Sequence, residues 1–197
     1  LNDYKSIKSY EETTKHDVKS LEYFLRDKLG GTTLSGVTEF IHLGLTSEDV
    51  NNLAYSLSLK EFLSEMYHPE LDKIIKSLEL LTNDYKNLVM LGRTHGQAAV
   101  PTTLGKEIAV FLYRLKQMQK KIKSLKLSGK LNGAVGNYNA LTIALPKVNW
   151  LEKSKAFVEN LGLVWNPLTT QVEGNDNLVE LFNLVTHVNN ILLSLSQ

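Results

Sequence analysis

The sequence predicts an all-α fold, a bundle of long helices joined by polar loops. Apolar side chains recur at spacings of three and four residues over several long stretches of the chain. Glycine or proline interrupts these stretches, as Gly30 and Pro69 do. The chain shows no convincing pair of strands with alternating apolar and polar residues, so we expect no strand pairing.

The composition limits the partners and the compartment. The 197 residues carry 22 Lys and Arg against 21 Asp and Glu, a balance that argues against a nucleic-acid partner, because phosphate binding needs a concentrated basic surface. The absence of cysteine excludes disulfides and thiolate metal sites, and it fits a reducing, cytoplasmic compartment. No apolar run approaches the length of a membrane span, so we expect no membrane partner.

The first helix should follow a short lead-in. Residues 1–10 are polar and lack periodicity, so we expect them to be irregular. Thr13 and Thr14 are candidate N-caps for the helix that follows, which places His16 and Asp17 in its first turn. An acidic residue there suits the helix dipole for structural reasons alone, so the structural and functional interpretations of Asp17 are equally good.

The next helix N-terminus carries two hydroxyl side chains. A short helix around Phe40 should end near Gly44, and Thr46 and Ser47 stand where a new helix should begin. Asp49, three residues after Thr46, indicates a capping box with Asp in place of Glu. Capping is one interpretation of this pattern, and a site for a carboxylate or phosphate at the helix N-terminus is the other.

Two long helical stretches lie on either side of a histidine-containing segment. From Val50 onward the apolar spacing predicts one long helix, or two with Pro69 as the kink or break. Beside that proline, His68 is interpreted as a surface or hinge residue. Between Leu104 and Leu125 the spacing alternates between four and three, which predicts a seam that packs against other long helices, within the chain or between chains.

The segment Arg93–Gln97 lies between these helical stretches and places His95 in a polar loop. Pro101 ends the loop, and a helix begins soon afterwards. Histidine suits proton transfer near neutral pH because its unperturbed pKa lies closest to neutrality. The alternative interpretation of His95 is a histidine that is hydrogen-bonded in a turn.

The last third of the chain alternates turns and helices. Residues 130–140 break the helical pattern, and Gly133 and Gly136 allow close approach of the backbone without matching a phosphate-binding fingerprint. A short helix over 150–161, a polar loop over 165–176 and a final long helix follow.

Polar clusters stand at helix ends, and none has the spacing of metal ligands, so we expect no metal. Metal-free acid–base chemistry or an anion site remains. The four clusters are Thr13–Asp17, His42–Asp49, Arg93–Gln97 and Thr169–Glu173.

Taken together, these segments resemble the bacterial-type adenylosuccinate lyase family of the fumarase/aspartase superfamily. The resemblance runs from about Glu11 to the end of the chain. The Thr-His-Gly-Gln segment around His95 indicates the superfamily. Gly-Asn-Tyr-Asn at 136–139 and Trp-Asn-Pro at 165–167 favour this family over argininosuccinate lyase, fumarase and aspartase.

The resemblance implies the central helical-bundle domain of the superfamily and a β-elimination. The substrate would be a succinyl-amino purine nucleotide or its imidazole precursor, and fumarate would be released, as a step of purine biosynthesis. The family works without metal or cofactor and forms homotetramers whose active sites draw loops from three subunits.

The resemblance also implies roles for individual residues. His95 would be the general acid, and His16 would contact and orient the substrate. Thr46 and Ser47 would hold a succinyl carboxylate, in agreement with the argument from the helix N-terminus. The implied substrate-binding residues are Lys15, Asp17, His42, Thr46, Ser47, Thr94 and Gln171.

Some features depart from the family pattern. Lys15 stands where relatives carry Asn, and Gly174-Asn175 stands where Pro-His is common. The family's base is a serine on a mobile signature loop beyond the last helix here. We therefore expect residues 11–197 to be a truncated central domain that lacks the N-terminal domain and the signature-loop region, and that is inactive alone. Two alternatives remain: an inactive helical assembly domain, and another superfamily lyase such as argininosuccinate lyase.

Overall fold

The computed structural model describes residues 2–197, and these residues form eight α-helices and two small two-stranded sheets. The prediction of an all-α fold built from long helices is confirmed. The helices are α1 (Asn2–Thr14), α2 (Asp17–Leu29), α3 (Ser47–Phe62), α4 (His68–Asp84), α5 (Leu104–Ser124), α6 (Asn139–Ala144), α7 (Trp150–Asn160) and α8 (Asp176–Ser196). The strands are β1 (Val89–Thr94), β2 (Gln97–Thr103), β3 (Ser128–Gly129) and β4 (Val164–Trp165).

The expected irregular lead-in is wrong, because α1 already begins at Asn2. This helix buries none of its residues, so it has no apolar periodicity for sequence reasoning to detect. Polar pairs stabilise it instead. Lys8 pairs with Glu11 at 2.5 Å on its surface, and Tyr10 donates a hydrogen bond to Asp27 of the neighbouring α2.

The cap of α2 also differs from the expectation. His16, and not Thr13 or Thr14, is the N-cap, and its Nδ1 accepts a hydrogen bond from the Lys19 N–H at 3.3 Å. A histidine ring can take this role because a neutral imidazole nitrogen accepts as a side-chain oxygen does. Asp17 occupies the first helical position, as predicted.

A β-hairpin replaces the loop predicted around His95. Strands β1 and β2 pair antiparallel, from Val89 opposite Thr103 to Thr94 opposite Gln97, so the expectation of no strand pairing is wrong. Most side chains on both strands are exposed. A hairpin without a buried face has no alternation of apolar and polar residues, which is why its pattern gives no strand signal.

The stretch after Val50, for which one long helix or two were both open, is helical throughout from Ser47 to Asp84 and changes its helical type before Pro69. Between α3 and α4 the chain makes a π-helical segment, Leu63–Tyr67, and Pro69 then lies in the first turn of α4. A short 3-10 helix, Ser35–Phe40, stands in place of the short helix predicted around Phe40, and it ends at Phe40 rather than near Gly44. The π-helical segment was not predicted, since one extra residue in a helical turn leaves no clear mark on apolar spacing.

The chain folds as two compact units. The first comprises the chain up to Ser58 together with Leu127–Gly174, and the second comprises Leu59–Lys126 together with Asn175–Gln197. In the first unit β3 and β4 pair in parallel. Buried apolar residues of the first unit include Val18, Leu53, Leu127, Tyr138, Leu141, Val158 and Leu163.

The core of the second unit lies among α4, α5 and α8, which confirms the predicted packing of the α5 seam against other long helices. The seam residues Leu115, Met118 and Ile122 are buried. The other helices contribute Leu71, Ile75, Leu78, Leu181, Val188 and Ile191.

Helix α8 corrects the expectation that no apolar run approaches the length of a membrane span. Within the part of the chain that the structure describes, it is the one helix whose length and composition would let it cross a membrane, with a mean hydropathy of 1.3 over an 18-residue window. Core helices of soluble proteins meet the same two criteria. Leu181, Val188 and Ile191 of α8 lie in the core of the second unit.

Candidate active site

His16 reaches the N-terminus of α3, which is distant in sequence. Its Nε2 lies 3.2 Å from the Ser47 Oγ, across 31 residues of chain. Nδ1 faces the Lys19 N–H, and in the neutral tautomer that carries its proton on Nε2 the ring donates to the Ser47 hydroxyl. The Asp17 carboxylate lies 3.2 Å from Nδ1, so a protonated ring would gain an ion pair on that side.

Thr46 joins the same cluster through Gln171. The Gln171 side-chain amide donates to the Thr46 Oγ1 at 3.3 Å, over a separation of 125 residues. The Thr46 N–H donates to the Asp49 carboxylate at 2.9 Å, which confirms this half of the predicted capping box. The Thr46 hydroxyl makes no cap and accepts the bond from Gln171 instead.

The first unit therefore brings two hydroxyls, one amide and one imidazole together at a helix N-terminus. Such groups suit a carboxylate ligand, because hydroxyl and amide donors can bond its oxygens and the positive end of the helix dipole favours its charge. His16 and Gln171 are exposed, and Thr46 and Ser47 are half-buried, so the cluster is open to solvent.

His42 lies in the same unit, in the turn before α3, and is half-buried. It acts electrostatically on Glu22 of α2. Burial raises the pKa of Glu22, but the hydrogen bond and charge of Lys19, the charge of His42 and the Arg26 bond outweigh it and bring the pKa below its usual value.

Lys15 joins α1 to α2 in a left-handed backbone conformation, with φ of 52°. Asparagine adopts this conformation more readily than lysine and most other residues do. The Lys15 side chain lines a shallow surface depression together with Lys8, Glu11 and Glu12.

His95 occupies the tip of the β1–β2 hairpin in the second unit. His95 and Gly96 are the two turn residues and have φ of 52° and 72°, as a type I′ turn requires. The His95 side chain is exposed. The hairpin thus fixes the backbone from which the exposed imidazole projects.

A cleft of about 760 Å³ lies along the hairpin. Thr94 lines it together with Arg93, Lys106 and Glu107, whereas His95 is not part of its lining. Thr94 and His95 belong to the second unit and the other seven predicted site residues to the first.

Sequence reasoning missed the buried polar residues beneath the first cluster. Capping rules give Asp49 only the role of a cap, and the sequence pattern places Lys130 and Asn132 only in a glycine-containing turn. All three are almost completely buried, and the Lys130 Nζ lies 2.9 Å from the Asp49 Oδ1. The sequence signal for a buried Lys130 is its position next to an apolar residue before a turn. This signal is weak, because lysine side chains are mostly exposed in proteins.

Among residues 2–197 no group of three or more His, Cys, Asp or Glu side chains is arranged to hold a metal ion. The polar groups described above are all hydrogen-bond donors, acceptors or proton carriers.

Comparison with known proteins defines the class of this chain. A family model described as lyase matches residues 1–197, and the chain belongs to this lyase family.

Curated relatives show which members of the lyase family this chain is similar to. An adenylosuccinate lyase from Buchnera aphidicola subsp. Schizaphis graminum is 48% identical over 189 residues, which is 95% of this chain and 41% of the relative. Adenylosuccinate lyases from Haemophilus influenzae and Escherichia coli are 46% and 45% identical over 188 residues, with the same coverage. The chain therefore spans about two fifths of the length of these relatives, and the resemblance to adenylosuccinate lyases is confirmed.

Solved structures share the fold. A fumarate lyase from a Mesorhizobium species matches with a TM-score of 0.82 at 22% identity, over 98% of this chain and 43% of that one. A 3-carboxy-cis,cis-muconate lactonizing enzyme from Pseudomonas putida matches with a TM-score of 0.74 at 26% identity, over 94% and 41%. At 22% identity the first likeness concerns the fold alone.

Proposed function

We propose that this chain is the central helical part of a longer adenylosuccinate lyase. The enzyme would cleave adenylosuccinate to AMP and fumarate, and the succinyl-carboxamide imidazole ribonucleotide to its carboxamide product and fumarate, in purine biosynthesis. The observation that carries this proposal is the 45–48% identity to curated adenylosuccinate lyases over 95% of the chain. The clustering of His16, Ser47, Thr46 and Gln171 supports it.

The substrate carboxylate would bind at the N-terminus of α3. The Thr46 and Ser47 hydroxyls and the Gln171 amide would donate hydrogen bonds to its oxygens, in place of the bonds that they make to one another. His16 would release Ser47 and turn its Nε2 proton toward the substrate. This binding would hold the succinyl group in one orientation and reduce the entropic part of the barrier.

The reaction would be a β-elimination without change of redox state. A base removes the proton from the carbon next to a carboxylate, and the electron pair of that C–H bond forms the double bond of fumarate. The C–N bond breaks, and His95 donates a proton to the departing nitrogen. By the family resemblance the base would be a serine outside this chain, and the proposed reaction uses no metal and no cofactor.

We also propose a homotetramer in the cytoplasm as the working form. Long helices of the second unit expose large apolar side chains, which in a soluble protein is typical of an interface. These exposed side chains include Leu80, Val110, Tyr113, Val179, Phe182 and Leu193. Copies of the chain would cover these side chains in the oligomer.

The same exposed helices also favour a second candidate, a helical assembly domain without activity. A fumarate-release assay on adenylosuccinate separates the two, with the full-length protein measured beside the 197-residue chain. Release by the full-length protein and none by the chain is the expected result. A full-length protein that forms the oligomer but releases no fumarate from either substrate would overturn the lyase proposal in favour of assembly.

A further inference from the structure

A buried polar network lies directly beneath the Thr46–Ser47 cluster. Asp49 is 1% exposed, and Lys130 and Asn132 are fully buried. The Asp49 carboxylate accepts from the Lys130 Nζ at 2.9 Å, from the Asn132 N–H at 3.0 Å and from the Gly133 N–H at 3.0 Å. Asp49 thus fastens the segment 130–133 to the first turn of α3.

The bonds of Asp49 also hold the backbone that carries the Thr46 and Ser47 hydroxyls. The Thr46 N–H donates to the same carboxylate, so the backbone of Thr46 and Ser47 is held by the group that holds Lys130. Asn52, one turn further along α3, adds a second link: its Oδ1 accepts from the Lys130 N–H at 2.8 Å and its Nδ2 donates to the Lys130 carbonyl at 3.1 Å.

The same segment also holds the Gln171 loop. The Asn132 amide donates to the Thr169 Oγ1 at 2.8 Å, two residues before Gln171. Gly136, at φ of 77°, lies against the Thr169 carbonyl, where an added Cβ has no room. Residues 130–136 therefore connect the two elements that carry the binding hydroxyls and the binding amide.

A buried ion pair is a poor device for stability alone. The free-energy cost of removing two charges from water often exceeds the gain from their attraction. Replacing such a pair with well-packed apolar residues is therefore often neutral or even stabilising. Hydrogen-bonded buried charges do fix one geometry, because any displacement leaves a charge unpaired. The location of this pair beneath two binding elements indicates that geometry is its role.

We propose that Asp49, Lys130 and Asn132 are positioning residues of the carboxylate site, and that they hold Thr46 and Ser47 at a fixed separation from Gln171. This inference rests on the proposed function. The ligand class is a dicarboxylate, such as fumarate or the succinyl group of the substrate. None of the three residues touches the ligand, so their loss should weaken carboxylate binding and leave nucleotide binding unchanged.

The test uses the full-length protein with the double variant Asp49→Asn/Lys130→Met, which removes both charges and avoids an unpaired buried ion. Calorimetric titration with fumarate and with AMP measures the two halves of the site separately. We expect the fumarate Kd to rise about 10- to 100-fold, the range that displaced binding groups produce, while the AMP Kd stays within about twofold. The single variant Lys130→Arg keeps the charge and the donors, so it should bind fumarate more tightly than the double variant does.

Lys73→Met is the matched control, since it removes the lysine of an exposed ion pair with Glu70. Equal loss of fumarate and AMP binding in the double variant would mean a general structural role and would overturn the positioning role. Unchanged fumarate binding would overturn it too. If the wild-type protein releases fumarate from adenylosuccinate, either result rejects this inference alone. If the wild-type protein neither releases nor binds fumarate, the proposed function fails and the inference falls with it.

Discussion

The N-terminus of α3 and the tip of the β1–β2 hairpin both present predicted site residues, but they hold them by different means. Thr46 and Ser47 rest on a buried charged network whose members come from segments more than 80 residues apart. His95 is held by a strand ladder and a two-residue turn, with its side chain exposed. The first arrangement depends on side chains, and the second depends on backbone conformation. Substitutions should therefore act on the two regions through different quantities.

The largest effect should come from removing the hairpin's proton donor. In the full-length protein, His95→Asn keeps a residue that tolerates positive φ but removes the imidazole. We expect kcat to fall by about 10²–10⁴-fold, the usual contribution of general acid catalysis, with the melting temperature nearly unchanged because the ring is exposed. Steady-state kinetics on adenylosuccinate measure this. The control is His187→Asn on the exposed side of α8, and an unchanged kcat for His95→Asn would remove His95 from the mechanism.

The next effect belongs to the buried network. Lys130→Met alone leaves the Asp49 carboxylate buried without its cation, which should lower the free energy of unfolding by about 3–5 kcal/mol. Adding Asp49→Asn should recover part of that loss. Urea denaturation of the full-length protein, beside Lys73→Met, provides the measurement. A double variant less stable than Lys130→Met would contradict the importance of charge pairing at this position.

A smaller effect tests whether backbone conformation governs the hairpin. Gly96 has φ of 72° and open space where a Cβ would stand, so Gly96→Ala introduces conformational strain and no collision. We expect a loss of about 1 kcal/mol in the free energy of unfolding. Gly31 also has open space but no positive φ, so Gly31→Ala should be neutral or slightly stabilising. Equal effects of the two substitutions in urea denaturation would show that the turn conformation is not limiting.

The smallest effect concerns the connection between α1 and α2. Position 15 has φ of 52°, and asparagine favours this left-handed region more than lysine does. We therefore expect Lys15→Asn to raise the free energy of unfolding by a few tenths of a kcal/mol, roughly the difference in backbone preference between the two residues. Thermal denaturation beside Lys5→Asn, a substitution within α1 at an ordinary helical φ, is the comparison. A melting temperature lowered by Lys15→Asn and by Lys5→Asn alike would mean that the lysine side chain, and not its backbone, matters at position 15.

The long helices were within reach of sequence reasoning because each buries one face. Leu115, Met118 and Ile122 reveal α5 through their spacing, and the position of Pro69 in the first turn of α4 follows from the chemistry of proline. Helix α1 and the hairpin lie beyond such reasoning. Neither buries a continuous face, and the His95-Gly96 turn lacks the Asn-Gly or Asp-Gly pair that usually signals a type I′ turn.

The site was predictable only in part from its own chemistry. The helix N-terminus at Thr46 and Ser47, and the return of Asp49 to the Thr46 N–H, follow from capping rules. The bond between Gln171 and Thr46 depends on how distant segments fold together, and only the family resemblance pointed to Gln171. Lys130 could not be found from composition, because its burial depends on a partner 81 positions earlier.

The ion pair beneath the site also restricts how this sequence can diverge. A lineage that loses the cation at 130 while keeping the anion at 49 would pass through a form with an unpaired buried charge, which selection removes when stability is marginal. The two positions should therefore change together or remain as they are. Surface pairs such as Lys73 with Glu70 carry no such coupling and should drift independently. Among relatives of this chain, the acidic residue at position 49 and the lysine at position 130 should therefore be kept together or replaced together.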